Sequence, residues 1–203
     1  MTKNDNRKPS PAPVEEEEEK TIAVRYFEHA FTSKIHYFYL SDVIGPATEY
    51  VDMIHRIKTA RDGDTVYIYL NTPGGILSTG IQIMAAMNNS AARIVTVLEG
   101  EVASLGTMIF LSGDEFIVND NCLFMMHNFS SASEGKGYEV VSQVQAVNKW
   151  FGKVARDIYV PFITESEFDR LLRDEDFWFD SVEVRKRLNK MIKTLNRQKK
   201  AKK

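Results

Sequence analysis

The sequence predicts an α/β domain with a mainly parallel sheet and a helical C-terminal part. Strand-like and helix-like segments alternate through the first 115 residues, which is the pattern of βαβ crossovers. Glycine-containing turns join two of these strands directly to the helices that follow. From Tyr138 onwards, apolar residues recur at helical spacing instead. The chain has 203 residues, of which 43% are hydrophobic, so it can form one sizeable core.

Charge divides the chain into three parts. Residues 1–20 contain three prolines and five consecutive glutamates, and we expect them to form a disordered acidic tail. Residues 196–203 carry a net charge of +5 and are expected to form a basic tail. The predicted domain, residues 21–195, has a net charge of −5, which argues against a nucleic-acid partner because phosphate binding requires a basic face.

Strands are predicted where β-branched and aromatic residues form short runs between turn residues. The predicted strands are residues 21–27, 35–41, 65–71 and 93–100, followed by two short strands within 114–127 around the turn Asn119–Asn121. The run at 65–71 is nearly continuous in apolar residues, which is typical of a buried strand in a parallel sheet.

Helices are predicted where apolar residues recur every three or four positions. These segments are residues 44–60, 76–90, 103–113, 138–159, 164–172 and 182–195. Residues 131–137 are rich in glycine and serine and are expected to be mobile.

Two glycine-containing turns are the first candidates for a functional site. Asn71–Gly75 and Gly100–Gly106 each lie between a strand and a helix, at the edge of a parallel sheet where ligands bind. Glycine allows a ligand to approach the backbone, and a helix N-terminus stabilises an anion. Neither turn is a phosphate loop, since no Gly-Lys-Ser/Thr follows.

Ser104 and His127 are the candidate reactive side chains. Ser104 lies where a strand meets a helix N-terminus, which suits a nucleophile whose oxyanion is held by backbone N–H groups. Serine is also a common helix N-cap, so capping is the alternative role. A nucleophilic serine requires a base. His127 ends an apolar strand and is the candidate for that base, although a histidine there also fits a structural role.

The remaining composition excludes several protein classes. The single cysteine, Cys122, excludes an intrachain disulfide framework and a multi-cysteine zinc site, and it suggests a reducing compartment such as the cytoplasm. No apolar run is long enough to cross a bilayer, and the N-terminus lacks the apolar region of a secretory signal. We therefore expect no membrane association, and we predict neither a metal nor a cofactor.

Four motifs together resemble ClpP, the proteolytic subunit family of the Clp protease. They are Asn71–Gly75, Gly100–Thr107, Met125–Phe129 and Asp176–Val184, which resemble the family's N-S-P-G-G, G-x-A-A-S-M-G-A, M-I-H-Q-P and aspartate-containing motifs. All four occur in the family's order, and the resemblance covers nearly all of residues 21–193. It implies a ClpP/crotonase-like fold built of ββα units.

The resemblance implies a serine endopeptidase with a Ser104–His127–Asp176 triad. The N–H groups of Gly75 and Leu105 would form the oxyanion hole. Residues 130–137 would correspond to the handle strand, beside which an extended peptide can bind. The family assembles as two stacked seven-membered rings around a chamber, to which an AAA+ ATPase delivers unfolded polypeptides, so a homo-oligomer is expected here.

Some features depart from the family pattern and leave alternatives open. Phe129 replaces the usual proline, and Asp174 and Asp180 are rivals of Asp176 for the third triad position. The chain could instead be a non-catalytic ring or scaffold subunit, or a dedicated processing protease that works without an ATPase. A crotonase-like acyl-CoA enzyme shares the same type of oxyanion hole, but no residue pattern here specifies a CoA site.

Overall fold

A computed structural model describes residues 32–130 and 134–201 of the chain. The predicted disordered tail, the predicted strand at 21–27 and residues 131–133 of the predicted mobile segment lie outside these residues. The described strands are β1 (Ile35–Leu40), β2 (Thr65–Thr72), β3 (Arg93–Ala103), β4 (Glu115–Val118), β5 (Leu123–Met126) and β6 (Phe177–Asp180). The helices are α1 (Val51–Thr59), which follows a 3₁₀ turn at Ala47–Tyr50, α2 (Leu77–Asn88), α3 (Leu105–Leu111), α4 (Gly137–Tyr159), α5 (Glu165–Leu171) and α6 (Ser181–Ala201).

The described strands form one mixed sheet in the order β1-β2-β3-β5-β6. The pairs β1–β2, β2–β3 and β3–β5 are parallel, and β5–β6 is antiparallel. Strand β3 has two partners along one edge, because β4 pairs with Val95–Leu98 and β5 pairs further along with Glu101–Ala103. The predicted fold class, an α/β domain with a mainly parallel sheet, is confirmed.

Helices α1, α2 and α3 pack on one face of the sheet. The strand order advances in one direction from β1 to β3, so right-handed crossovers place their helices on the same side. The opposite face of β1 and β2 carries a row of tyrosines, with the Tyr39 and Tyr69 ring centroids 4.8 Å apart. Strand β2 is mostly buried, as predicted, although Tyr67 and Tyr69 on this face stay half-exposed.

Several element boundaries differ from the predictions, and one strand was not predicted. Strand β3 continues to Ala103, three residues past the predicted end, because its last residues pair with β5. The sequence did not predict β6, whose four residues form a strand only by pairing with β5. Helix α6 continues to Ala201 rather than ending at Leu195, since the last turns contain lysine, arginine, glutamine and alanine, which favour helix. The described residues 134–136 form no strand, unlike the handle segment that the resemblance implied.

A buried cluster of phenylalanines connects the helical layer to the C-terminal part. Phe124 of β5 is fully buried, and its ring lies 5.6 Å from Phe110 of α3 and 5.5 Å from Phe162, which follows α4. Phe162 in turn contacts Phe179 of β6 edge-on at 6.0 Å. This chain of aromatic contacts holds β5 and β6 against the rest of the core.

A partly buried ion pair holds α5 against α6. Both Glu167 carboxylate oxygens accept hydrogen bonds from the Arg187 guanidinium, at 2.8 and 3.1 Å, and the guanidinium also lies 4.4 Å from the Phe179 ring centroid. Glu167 also completes a capping box with Thr164 at the start of α5. The hydrogen bonds from Arg187 lower the pKa of Glu167 to about 2.

This ion pair predicts acid-sensitive stability. The pKa of Glu167 lies below its unfolded value of 4.5, so its stabilising contribution is present above pH 4.5 and is lost as the pH falls towards 2. Between pH 6 and pH 3 we expect the wild type to lose about 2 kcal/mol more unfolding free energy than Glu167→Gln, measured by urea denaturation. Glu165→Gln, which removes a more exposed carboxylate, serves as the control and should keep the wild-type pH dependence. Equal pH dependence in Glu167→Gln and the wild type would contradict this account.

Candidate active site

The turn after β2 is held in a fixed conformation by the side chain of Thr72. Its hydroxyl donates a hydrogen bond to the Asp42 carbonyl (2.6 Å) and accepts one from the Gly74 N–H (3.1 Å). Thr72 is almost completely buried, so these two bonds satisfy a hydroxyl that would otherwise be costly to bury. The turn is thereby tied to the segment that follows β1.

Gly74 and Gly75 occupy positions that only glycine fits. A Cβ on Gly74 would lie 2.7 Å from the Cβ of Ser104, and a Cβ on Gly75 would lie 2.2 Å from the Ile44 carbonyl oxygen. Both residues also have positive φ angles, +97° and +153°. The glycines bring the β2 turn into direct contact with the turn that carries Ser104.

Ser104 has an unusual backbone conformation between β3 and α3. Its φ of 53° and ψ of −126° lie in a region that costs a non-glycine residue about 1–3 kcal/mol, and such residues cluster at functional sites. The residue occupies the N-cap position, but its side chain makes no capping hydrogen bond. The alternative role of Ser104 as an ordinary N-cap is therefore wrong.

Backbone and side-chain hydrogen bonds hold the Ser104 turn from two sides. The Ser104 N–H donates to the Met125 carbonyl of β5 (2.9 Å). The Ser104 carbonyl accepts a hydrogen bond from the Thr107 hydroxyl (2.6 Å), which itself lies 2.7 Å from the hydroxyl of Tyr159. Burial raises the pKa of Tyr159, which therefore stays neutral. Tyr159 was not identified from the sequence, where it only ends a long amphipathic helix.

A cavity of about 240 Å³ lies beside Ser104. Ser104, Leu105, Gly75 and His127 all line it, so the structure brings together four of the five predicted site residues. Its other walls are mainly apolar and come from α2, α3, α4 and the segment after β5, including Phe129, which packs on Phe151. A chain segment with an apolar side chain could therefore bind next to Ser104.

Two backbone N–H groups at this cavity are available to an anion. The Ile44 N–H donates to the Gly74 carbonyl, and the Ile44 carbonyl accepts a hydrogen bond from the Ile76 N–H. These two bonds leave the Gly75 N–H unused. The Leu105 N–H lies in the first turn of α3, where amides have no intrahelical partner. Within residues 32–130 and 134–201, neither group donates to a protein acceptor.

The β5–β6 register relates the candidate carboxylates to His127. Met126 pairs with Phe177 in the last pair of the ladder, so one further pair would set Asp176 opposite His127. Asp180 pairs with Leu123, roughly 13 Å further along the strand at 3.3 Å per residue, and its carboxylate accepts the Glu183 N–H. Asp174 instead accepts a hydrogen bond from Asn128 (3.0 Å).

The candidate triad is not joined by hydrogen bonds in this conformation. Among the described residues, no hydrogen bond connects the Ser104 hydroxyl to His127 or the His127 ring to Asp176. Asp176 is exposed and does not line the cavity. The structure thus brings Ser104 and His127 to one cavity and leaves Asp176 at the adjacent strand end.

Neither a cation site nor a membrane-spanning segment is found in the described part of the chain. No three histidine, cysteine, aspartate or glutamate side chains come together there as ligands of one metal ion. No helix there is both long enough and apolar enough to span a bilayer.

Comparison with known proteins identifies similar sequences. A family model described as Clp protease matches residues 38–187. An ATP-dependent Clp protease proteolytic subunit from Chlorella vulgaris is 30% identical over 132 residues, covering 64% of this chain and 65% of that protein. One of the same name from Streptococcus uberis is 29% identical over 128 residues, covering 59% and 63%. The chain thus spans just under two thirds of the length of these curated relatives.

The contact between Gly74 and Ser104 predicts a strong effect of one added methyl group. Gly74→Ala forces its Cβ against Ser104 and requires a positive φ, so we expect the free energy of unfolding to fall by about 2–4 kcal/mol, measured by urea denaturation. Gly152→Ala in α4 is the matched control, because its Cβ would meet nothing within 4 Å and alanine favours helix. If both variants are equally stable, the packing of the two turns has been misassigned.

Proposed function

Because the chain belongs to the Clp protease family, we propose that it is a serine endopeptidase that hydrolyses peptide bonds of unfolded polypeptides. One observation carries this proposal. Ser104, whose hydroxyl does not cap the helix, shares a cavity with His127 and with the N–H groups of Gly75 and Leu105. A nucleophile, a base and two oxyanion donors are the groups that acyl transfer requires.

In the proposed acylation step, the Ser104 hydroxyl attacks the scissile carbonyl carbon. His127 accepts the hydroxyl proton as the new C–O bond forms, and it then donates that proton to the leaving amine as the C–N bond breaks. Water attacks the resulting ester by the same route, which releases the carboxylic acid and restores Ser104. No metal or other cofactor takes part in the proposed chemistry.

The other site residues stabilise charge that develops during these steps. The Gly75 and Leu105 N–H groups are proposed to donate hydrogen bonds to the tetrahedral oxyanion. Asp176 is proposed to orient the His127 ring and to stabilise its protonated form. Catalytic hydrogen bonds are often long without substrate, so the proposal includes their shortening when a peptide binds.

We also propose where the polypeptide comes from. The relatives are named ATP-dependent proteolytic subunits, which supports delivery of unfolded chains by an AAA+ ATPase. We propose as well that residues 21–195 form the peptidase domain and assemble into two stacked seven-membered rings, which membership of the family supports. A processing protease without an ATPase remains the alternative within this class. The cytoplasmic location inferred from the single cysteine stays a prediction.

A second function is favoured by one observation about the triad. Asp176 is exposed and makes no hydrogen bond to His127 among the described residues, as expected for a ring subunit that has a structural role only. Such a subunit would keep the fold and the assembly surfaces without hydrolysing peptides. The two functions differ in a single measurable property, which is turnover of a short peptide.

Removal of the proposed nucleophile tests the peptidase function directly. We expect Ser104→Ala to lower hydrolysis of a short fluorogenic peptide by the oligomeric protein by roughly 10⁴-fold or more. Ser112→Ala is the matched control, since this serine directly follows α3 and, in the part of the chain that the structure describes, its hydroxyl bonds only to the Met108 carbonyl. Peptide turnover that survives in Ser104→Ala would exclude Ser104 as the nucleophile, and no turnover in the wild-type oligomer would favour the structural subunit.

Conservative substitutions distinguish the candidate carboxylates. Asp176→Asn should lower kcat by about 10³–10⁴-fold, because an amide cannot stabilise the protonated His127 ring. Asp180→Asn should keep full activity, because asparagine can still accept the Glu183 N–H at the start of α6. Steady-state kinetics on the same peptide provide the comparison, and a large loss in Asp180→Asn instead would reassign the triad.

A further inference from the structure

Asn128 connects the end of β5 to the turn that precedes β6. It directly follows His127 in the sequence. Its side-chain nitrogen donates to the Asp174 carboxylate (3.0 Å) and to the Leu172 carbonyl (3.4 Å). Its side-chain oxygen accepts the Phe129 N–H (2.9 Å), which fixes the orientation of the amide. The Asn128 side chain, which is adjacent in sequence to the proposed base His127, is therefore hydrogen-bonded to the turn that carries Asp176.

The turn at residues 172–176 is also held from the side of α5. The Arg170 carbonyl accepts the Glu175 N–H (3.2 Å), and the Arg170 guanidinium pairs with the Glu175 carboxylate (3.0 Å). The same guanidinium lies 5.2 Å from the Phe177 ring centroid at the start of β6. Asp174 has a positive φ of 65°, which is uncommon for a residue other than glycine. The turn therefore has a specific conformation rather than that of a loose loop.

The position of Asp176 depends on this turn. Among the described residues, its carboxylate makes no hydrogen bond, so only its backbone fixes its position. On one side, the pairing of Phe177 with Met126 fixes the backbone. On the other side, the nearest cross-strand anchor is the hydrogen bond between Asp174 and Asn128, two residues away.

Building on the proposed peptidase function, we propose that Asn128 is a positioning residue of the active site. Its amide holds the turn through Asp174 so that the Asp176 carboxylate stands opposite the His127 ring. It touches neither the substrate nor the reacting atoms. The same proposal assigns a role to Asp174, which anchors the turn and is not the third member of the triad.

The proposal predicts a loss of kcat without a comparable change in KM. In Asn128→Ala the turn loses its anchor, and because a misplacement of about 1 Å can cost up to 10²-fold, we expect kcat to fall by about 10–100-fold. KM should change by less than about twofold, since Asn128 makes no ground-state contact with the peptide. Asn119→Ala is the matched control: Asn119 directly follows β4, and among the described residues its side-chain amide bonds only to Glu99, at 3.5 Å.

A double-mutant cycle separates positioning from a general structural effect. If Asn128 acts through Asp176, adding Asn128→Ala to Asp176→Asn should cause no further loss of kcat beyond about twofold. A loss in the double variant equal to the product of the single losses would overturn the proposal, because the two residues would then act independently.

Variants of Asp174 probe the same hydrogen bond from its other end. Asp174→Gly removes the carboxylate that accepts the Asn128 hydrogen bond, and glycine tolerates the positive φ at this position. It should therefore reproduce the kcat loss expected for Asn128→Ala, and it replaces Asn128→Ala in the test if Asn128→Ala folds poorly. Asp174→Asn keeps an oxygen acceptor and should retain kcat within about threefold. Full activity in both Asp174→Gly and Asn128→Ala, combined with an inactive Ser104→Ala, would refute only the positioning role. Activity in Ser104→Ala would refute the peptidase function itself.

Discussion

The contact between Gly74 and Ser104 is the constraint on which the rest of the site depends. The two backbones lie so close that an ideal Cβ on Gly74 would be 2.7 Å from the Ser104 Cβ. This contact places the Gly75 and Leu105 N–H groups on the same cavity as the Ser104 hydroxyl. The strained Ser104 backbone persists because hydrogen bonds to Met125 and from Thr107 hold it on both sides.

The sheet topology then determines which residues meet this turn. Because β3 pairs with β5 in parallel at its C-terminal end, the residues that follow both strands emerge at one edge, which brings His127 to Ser104. Strand β6 runs antiparallel to β5 and begins at this edge, so extending the ladder by one residue would set the residue before β6 opposite His127. The proposed triad thus combines the C-terminal ends of two parallel strands with the N-terminal end of an antiparallel one.

The sequence predicted the parts of this arrangement that local patterns encode. The apolar periodicity located α2 and α4, and glycine beside Ser104 indicated a turn that could hold an oxyanion. The sequence did not predict β6, because its four residues form a strand only by pairing with β5. Nor could periodicity reveal that the Tyr159 hydroxyl bonds to Thr107 in the Ser104 turn or that Asn128 bonds to Asp174. Both hydrogen bonds join residues more than 40 positions apart in the sequence.

The most direct measurement of the central claim is to locate the residue that a serine-reactive fluorophosphonate modifies. The folded wild-type protein is labelled, digested and analysed by tandem mass spectrometry, with heat-denatured protein as the control for nonspecific reaction. The account predicts a single phosphonyl adduct on Ser104, formed only in the folded protein, because the adjacent N–H groups stabilise the tetrahedral adduct there. An adduct on another residue, or none in the folded protein, would contradict the assignment of Ser104 as an activated nucleophile.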